Sequence, residues 1–114
     1  MRIERELMRG AGPVAVLHLL AEREMYGYEL AVELGARSGG VLEMGHSTLY
    51  PLLYNLEAKG WITPKWREAD SGRDRKYYRL TTEGRRVLAV RREQWQALGA
   101  AMRRLGVLAP EAKR

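Results

Sequence analysis

The sequence predicts a mainly α fold with one small β-hairpin: three helices, the hairpin, then a long fourth helix. Three observations carry this. Apolar residues recur at helical spacing before residue 60 and again after residue 81. Between them the period falls to two, with β-formers at Trp61-Ile62-Thr63 and Lys76-Tyr77-Tyr78-Arg79-Leu80. The stretch joining those runs, Ala69-Asp70-Ser71-Gly72-Arg73-Asp74, is rich in turn residues.

Residues 13–22 read as the first core helix. Pro13 suits a first helical turn, where its missing N–H costs nothing. Gly10 and Gly12 weaken any helix before it, so residues 2–9 are expected as a separate short helix or an arm. Apolar residues surround almost the whole of helix 13–22, which therefore needs cover on more than one side, and a partner subunit would supply it.

Residues 26–37 form the second helix, with Leu30 and Leu34 at i, i+4 beside Ala31. Tyr26-Gly27-Tyr28 opens it, and Gly27 suggests close approach by another helix. The third helix spans 46–59, with His46 or Ser47 near its cap and Gly60 stopping it. Leu49, Leu52, Leu53 and Leu56 fall within about 100° of one another around its axis. The opposite face carries Ser47, Pro51, Tyr54 and Ala58, flanked by Thr48, Tyr50 and Asn55, and Pro51 is tolerated by lying near the start.

Residues 61–67 and 76–80 make a hairpin with a basic tip. From Thr82 to about Leu105 the helical pattern returns. Leu88, Trp95 and Met102 repeat at seven, and Arg91, Leu98 and Leu105 form a second row, so the spacing is that of a coiled-coil seam with Arg91 as its flaw. The tail Pro110–Arg114 is expected to fray. Residues 1–80 thus read as one unit with an N-terminal arm, and 81–114 as a dimerisation helix with a tail.

A chain of 114 residues is one domain's worth. Without cysteine there is no disulfide, thiolate metal site or cysteine nucleophile, in keeping with a cytoplasmic protein. No window holds the roughly 18 apolar residues of a membrane span, and Glu4 and Glu6 mixed with Arg2, Arg5 and Arg9 do not make a signal peptide. Nor is there a nucleophile–base pair, a phosphate loop or a dinucleotide fingerprint, and His18 and His46 alone make a poor metal site. No enzyme activity, catalytic residue, metal or cofactor is therefore expected.

Charge is unevenly spread. Residues 1–58 hold 5 basic and 8 acidic side chains, residues 59–80 hold 7 and 3, and residues 81–114 hold 8 and 3. The positive charge lies in the C-terminal half, which suits a polyanionic partner.

The order of elements is that of a winged helix-turn-helix followed by a long C-terminal dimerisation helix. A major groove admits a helix whose outer face is not bulky, and Ser47, Thr48, Tyr50, Pro51 and Asn55 are the candidate DNA contacts there. Ser47 as a helix cap and Tyr50 packed on the hairpin base are the plainer alternatives. Arg73, Arg75 and Lys76 are candidates for phosphate contacts from the hairpin, set against a solvated tip in which Asp70 and Asp74 weaken the field. His46 could touch phosphate. One of Tyr77 and Tyr78 is core, Trp61 and Trp66 are hairpin packing, and His18 is a helix side chain at a dimer interface. Arg85, Arg86, Arg91, Arg92, Arg103 and Arg104 are mostly a solvated face.

Three stretches resemble the PadR-like transcriptional regulators: Tyr26-Gly27-Tyr28-Glu29-Leu30; Ser47-Thr48-Leu49-Tyr50-Pro51-Leu52-Leu53 with Leu56-Glu57 and Gly60; and Ser71-Gly72-Arg73-Asp74-Arg75-Lys76-Tyr77-Tyr78-Arg79-Leu80-Thr81 with Gly84. The resemblance runs from about residue 5 to residue 100. It implies a dimeric transcription factor, commonly a repressor released by a small molecule, and the single C-terminal helix resembles the compact branch of the family. Some members of that branch hold flat aromatic drugs between tryptophans at the dimer centre, and Trp95 occupies a matching place. The expected partners are thus a pseudo-palindromic double-stranded DNA operator, a second copy through Leu88, Trp95, Leu98, Met102 and Leu105, and a small aromatic effector at Trp95, with no membrane. A protein-interaction module without specific DNA binding is the alternative function, and it would show a large apolar patch on the outer face of the third helix.

Overall fold

A computed structural model describes residues 1–68 and 70–111 of the chain. Ala69 of the expected turn and the last three residues of the expected tail lie outside the described residues. Helix α1 (Arg5–Glu22) is followed by a two-residue strand β1 (Met25–Tyr26), α2 (Gly27–Arg37), α3 (His46–Ala58), the hairpin β2 (Ile62–Glu68) and β3 (Asp74–Leu80), and α4 (Thr82–Leu105). The sheet is antiparallel in the order β1-β3-β2.

The N-terminal part departs from expectation. Residues 5–22 are one continuous helix, with Pro13 inside it. Gly12 is a packing position here and not a break. A Cβ on it would stand 3.1 Å from Met44 Cε and 3.4 Å from Leu52 Cδ2, so the bare backbone lets α1 approach α3 and the loop before it. Pro13 donates no bond to the carbonyl of Arg9 one turn earlier, a local cost that packing on both sides offsets.

The apolar circumference of residues 13–22 is covered by its own chain. Val16, Leu17, Leu19 and Leu20 are buried, and they share one core with Leu30 and Leu34 of α2, Leu49, Leu53 and Leu56 of α3, Ile62 and Tyr78 of the sheet, and Leu88 of α4. That circumference is therefore no argument for a partner. Leu7, nearer the helix start, remains 61% exposed, and half-buried His18 makes polar contacts: its Nδ1 lies 2.5 Å from Arg92 Nη2 of α4 and its Nε2 3.4 Å from Glu22 Oε2. Glu22 also reaches across to the end of α2, accepting from Arg37 Nη2 at 3.0 Å, and that hydrogen bond holds its carboxyl below the usual carboxylate range.

β1 escapes the pattern reading because two residues have no period. Met25 pairs with Tyr78 and Tyr26 with Tyr77, so the helix expected from residue 26 begins at Gly27, after a strand residue. Tyr26 N–H donates to Glu29 Oε1 at 3.2 Å, which satisfies one of the amides at the helix start. Gly27 then admits Tyr50 of α3. A Cβ there would lie 2.3 Å from the Tyr50 hydroxyl oxygen and 2.8 Å from Cζ, so the present place of the Tyr50 ring depends on this glycine.

The helix–sheet–helix junction is held by Thr81. Its hydroxyl lies 2.7 Å from the Gly60 carbonyl and 3.0 Å from that of Trp61, while its Oγ1 accepts from Gly84 N–H at 2.9 Å as the cap of α4. Gly60, at φ 77°, ends α3 and turns the chain straight into β2. Gly84 faces the same point: a Cβ would stand 2.0 Å from the Trp61 carbonyl oxygen and 2.6 Å from Leu80 Cδ1. Arg91, the flaw in the heptad row, turns away from any seam and places its guanidinium 5.6 Å from the centre of the Trp61 ring.

Two stability predictions follow from these contacts. Gly84→Ala forces a methyl group onto a backbone oxygen that cannot yield, and should cost about 2–3 kcal/mol, read as a melting temperature lower by roughly 10 °C; a melt within a degree or two of the wild type would refute the close approach. Gly27→Ala should cost roughly 1–2 kcal/mol, and Tyr50→Phe in that background should recover part of it by removing the clashing hydroxyl. In a double-mutant cycle by denaturant unfolding, strictly additive effects would show that the two residues do not touch.

Candidate nucleic-acid interface

The third helix begins after Gly45, which supplies no side-chain cap, and Ser47 lies one residue inside it. The Ser47 hydroxyl is thus not used as the cap. His46, Ser47, Thr48, Pro51, Tyr54 and Asn55 are all exposed, while Leu49, Leu53 and Leu56 point into the core and Leu52 is half-buried beneath α1. Pro51 is the sixth residue of the helix, further in than expected. It leaves the carbonyl of Ser47 without its helical donor, which adds an acceptor at the exposed start of the helix. Tyr50 is half-buried. It packs over Gly27, not on the hairpin base, with its ring 5.2 Å from His46 and 6.2 Å from Tyr54.

The hairpin strands run longer toward the tip than the pattern suggested, and Gly72 turns the tip at φ 81°. Side chains alternate between two faces. Ile62, Pro64, Trp66 and Glu68 of β2 lie opposite Leu80, Tyr78, Lys76 and Asp74, and this face looks toward the core and α3. Thr63, Lys65 and Arg67 lie opposite Arg79, Tyr77 and Arg75 on the outer face.

This alternation divides the three cations that the sequence reading grouped together. Arg73 is exposed at the turn. Arg75 is half-buried on the outer face, its guanidinium 4.5 Å from the centre of the Tyr26 ring. Lys76 is on the α3 side, where its Nζ lies 3.2 Å from Glu57 Oε1 and 5.5 and 5.3 Å from the ring centres of Tyr54 and Tyr78. Burial works against the Lys76 charge, but Glu57 and Tyr78 outweigh it and raise the ammonium above the usual lysine value. The cation is permanent, yet half spent on Glu57.

Lys65, Arg67 and Arg79 were not singled out from the sequence. They join Arg75 on the outer face, where Arg67 stacks 3.7 Å over Tyr77 and pairs at 3.8 Å with Glu24. Arg67 stands directly opposite Arg75, an unfavourable like-charge pair that the two tyrosine rings help to hold. All three fall within the expected strands, and sorting those strands by alternate residues would have found them. Tyr28, 63% exposed at the start of α2 and stacked on Tyr26, completes the surface.

Of Tyr77 and Tyr78 it is Tyr78 that is core, at 1% exposure. Trp61 packs against the core between Lys59 and Arg91. Trp66 does not pack as expected: it is 64% exposed, because the sheet outruns the core at that point.

The five residues of the α4 seam separate in the same way. Leu88 belongs to the chain's own core. Trp95, Leu98 and Leu105 are exposed, and Met102 is half-buried. Trp95 lies against α1 where Gly10 leaves room, its Cζ2 3.9 Å from the place of a Cβ.

Among the described residues, no helix is long and apolar enough to cross a membrane. The family model that matches the chain, over residues 16–90, is that of the transcriptional regulator PadR-like family. The chain is 39% identical over 94 residues to the transcriptional regulator Rv3488 of Mycobacterium tuberculosis, covering 82% of this chain and 84% of that one. Among solved structures it is similar to a Streptococcus transcriptional regulator (TM-score 0.80, 35% identity, 90% of this chain and 99% of that one). It is likewise similar to a PadR family transcriptional regulator of Eggerthella lenta (TM-score 0.76, 38% identity, 88% and 85%). With the winged fold in place and the match spanning α1 to α4, this chain belongs to the PadR-like family of transcriptional regulators.

Proposed function

We propose that this regulator binds operator DNA as a homodimer in the cytoplasm and represses transcription from it. In this reading α3 enters the major groove and the hairpin, the wing, reaches the adjacent minor groove. The observation that carries it is the juxtaposition of an exposed α3 face bearing His46, Ser47, Thr48, Tyr54 and Asn55 with a wing rich in arginine. The outer face of α3 offers no broad apolar patch of the kind a protein-binding surface would need. The test is selection from a library of randomised duplexes. It should enrich a site of two symmetric halves with centres about one helical turn apart; the absence of any enriched sequence would overturn specific binding.

Phosphate contacts are assigned to Arg73 and Arg75, with a lesser share to Lys76. Changing either arginine to Ala should weaken binding to all sequences alike and lower the salt slope by about one unit. Lys76→Ala should lower it less, since Glu57 already offsets that charge, and Glu57→Gln should steepen it. An unchanged slope for Arg75→Ala would remove the wing from the contact.

The two-fold partner is assigned to the part of the α4 row outside the chain's own core, exposed Trp95, Leu98 and Leu105 with half-buried Met102. Leu98→Glu with Met102→Glu should dissociate the dimer in sedimentation, because burying unpaired charge is costly. A wild-type monomer at micromolar concentration would overturn the assignment. Two Trp95 rings facing across the axis would accept a flat aromatic, cationic ligand by stacking and cation–π attraction, and such a ligand would release the DNA. Planar dyes should quench the wild type and not Trp95→Ala; equal quenching in both would leave Trp95 as packing.

A further inference from the structure

We infer that Trp66 is a DNA contact in its own right, lying against the sugar of the strand that passes between α3 and the wing. The inference rests on the DNA-binding reading above and adds an uncharged contact to it. Three observations carry it. Trp66 is 64% exposed, although an indole carries a large apolar surface and the same strand buries Ile62 four residues earlier. It faces α3 and not the outer surface: its cross-strand partner is Lys76, whose Nζ lies beside Tyr54 and Glu57 of α3. The ring therefore stands on the side of the hairpin that is turned toward α3.

The third observation is electrostatic. Lys76 and Glu57 offset each other on that face, and Glu68 and Asp74 lie beyond them toward the tip, while Lys65, Arg67 and Arg75 lie on the opposite face of the hairpin and Arg73 at its turn. Around Trp66 the surface is thus aromatic, with the hairpin's free cations at its margins. A helix in the major groove and a wing in the neighbouring minor groove must straddle one sugar–phosphate strand. An aromatic wall suits the apolar face of a deoxyribose, and marginal cations suit the phosphates on either side. A lone exposed aromatic is common enough on proteins to need no role, so the position of this one, and not its exposure alone, supports the proposal.

The test uses the full chain, a duplex of about 24 base pairs carrying the selected site, and a scrambled duplex of the same length and composition. Trp66→Ala should lower affinity for both duplexes by about tenfold, in line with the loss of roughly 50–60 Å² of buried apolar contact. The slope of log affinity against log salt should stay unchanged, since no charge is removed. Trp66→Tyr should restore most of the affinity, and the melting temperature of Trp66→Ala should stay close to that of the wild type. If Trp66→Ala binds as tightly as the wild type while Arg73→Ala loses its unit of salt slope, the contact is refuted and the DNA-binding reading stands. A lowered melting temperature without rescue by Tyr would show a structural role and refute it equally. A wild type that binds neither duplex at low salt would sink both readings.

Discussion

Everything that the candidate interface requires passes through the junction at Thr81. One side chain touches the end of α3, the start of β2 and the start of α4, and its own backbone N–H donates to the Trp61 carbonyl at 3.0 Å. Gly84 lets α4 press onto the same carbonyl. Helix α3, the hairpin and the long helix therefore share one point of attachment. A change in the direction of α4 would be felt at Trp61 and so at the root of the hairpin. Such a linkage is what a regulator needs if events at α4 are to reach the proposed DNA-binding side, and it requires no contact between the two surfaces.

The interface is built from side chains that are partly committed before any partner arrives. Arg75 rests on Tyr26, Arg67 on Tyr77, and Lys76 against Glu57. A guanidinium stacked on a ring keeps its edge N–H groups available while its flat face is occupied. Lys76, by contrast, offers one compact charge and already shares it. Equal formal charges at neighbouring positions thus differ in what they can give to a polyanion.

Much of this was legible in the sequence, for identifiable reasons. Helix α4 spans 82–105 as its heptads predicted, because a pattern of 24 residues averages out local accidents. The leucine face of α3 and the β-hairpin followed from clean periods of 3.6 and 2. What failed to show was tertiary. Gly12 and Pro13 look like a helix boundary, yet they serve close packing against Met44 and Leu52 inside one helix. β1 is too short to have a pattern, and only its pairing with Tyr77 and Tyr78 makes it a strand. The sequence put Arg73, Arg75 and Lys76 in one group by sign and nearness, but adjacent residues of a strand point to opposite faces. It also put Trp66 into the packing, since nothing local reveals where a sheet runs past its core.

That overhang has a thermodynamic consequence. Beyond Pro64 the hairpin has little core beneath it, and a bare two-stranded ribbon of this length is marginally stable in water. The rings of Tyr26 and Tyr77, each capped by an arginine, and the tie from Lys76 to α3 replace part of the missing support. The conformational entropy of the wing is thereby lost on folding and not on association. A ribbon already held in shape meets its target with less left to order, which shows as tighter binding and slower release without any added contact.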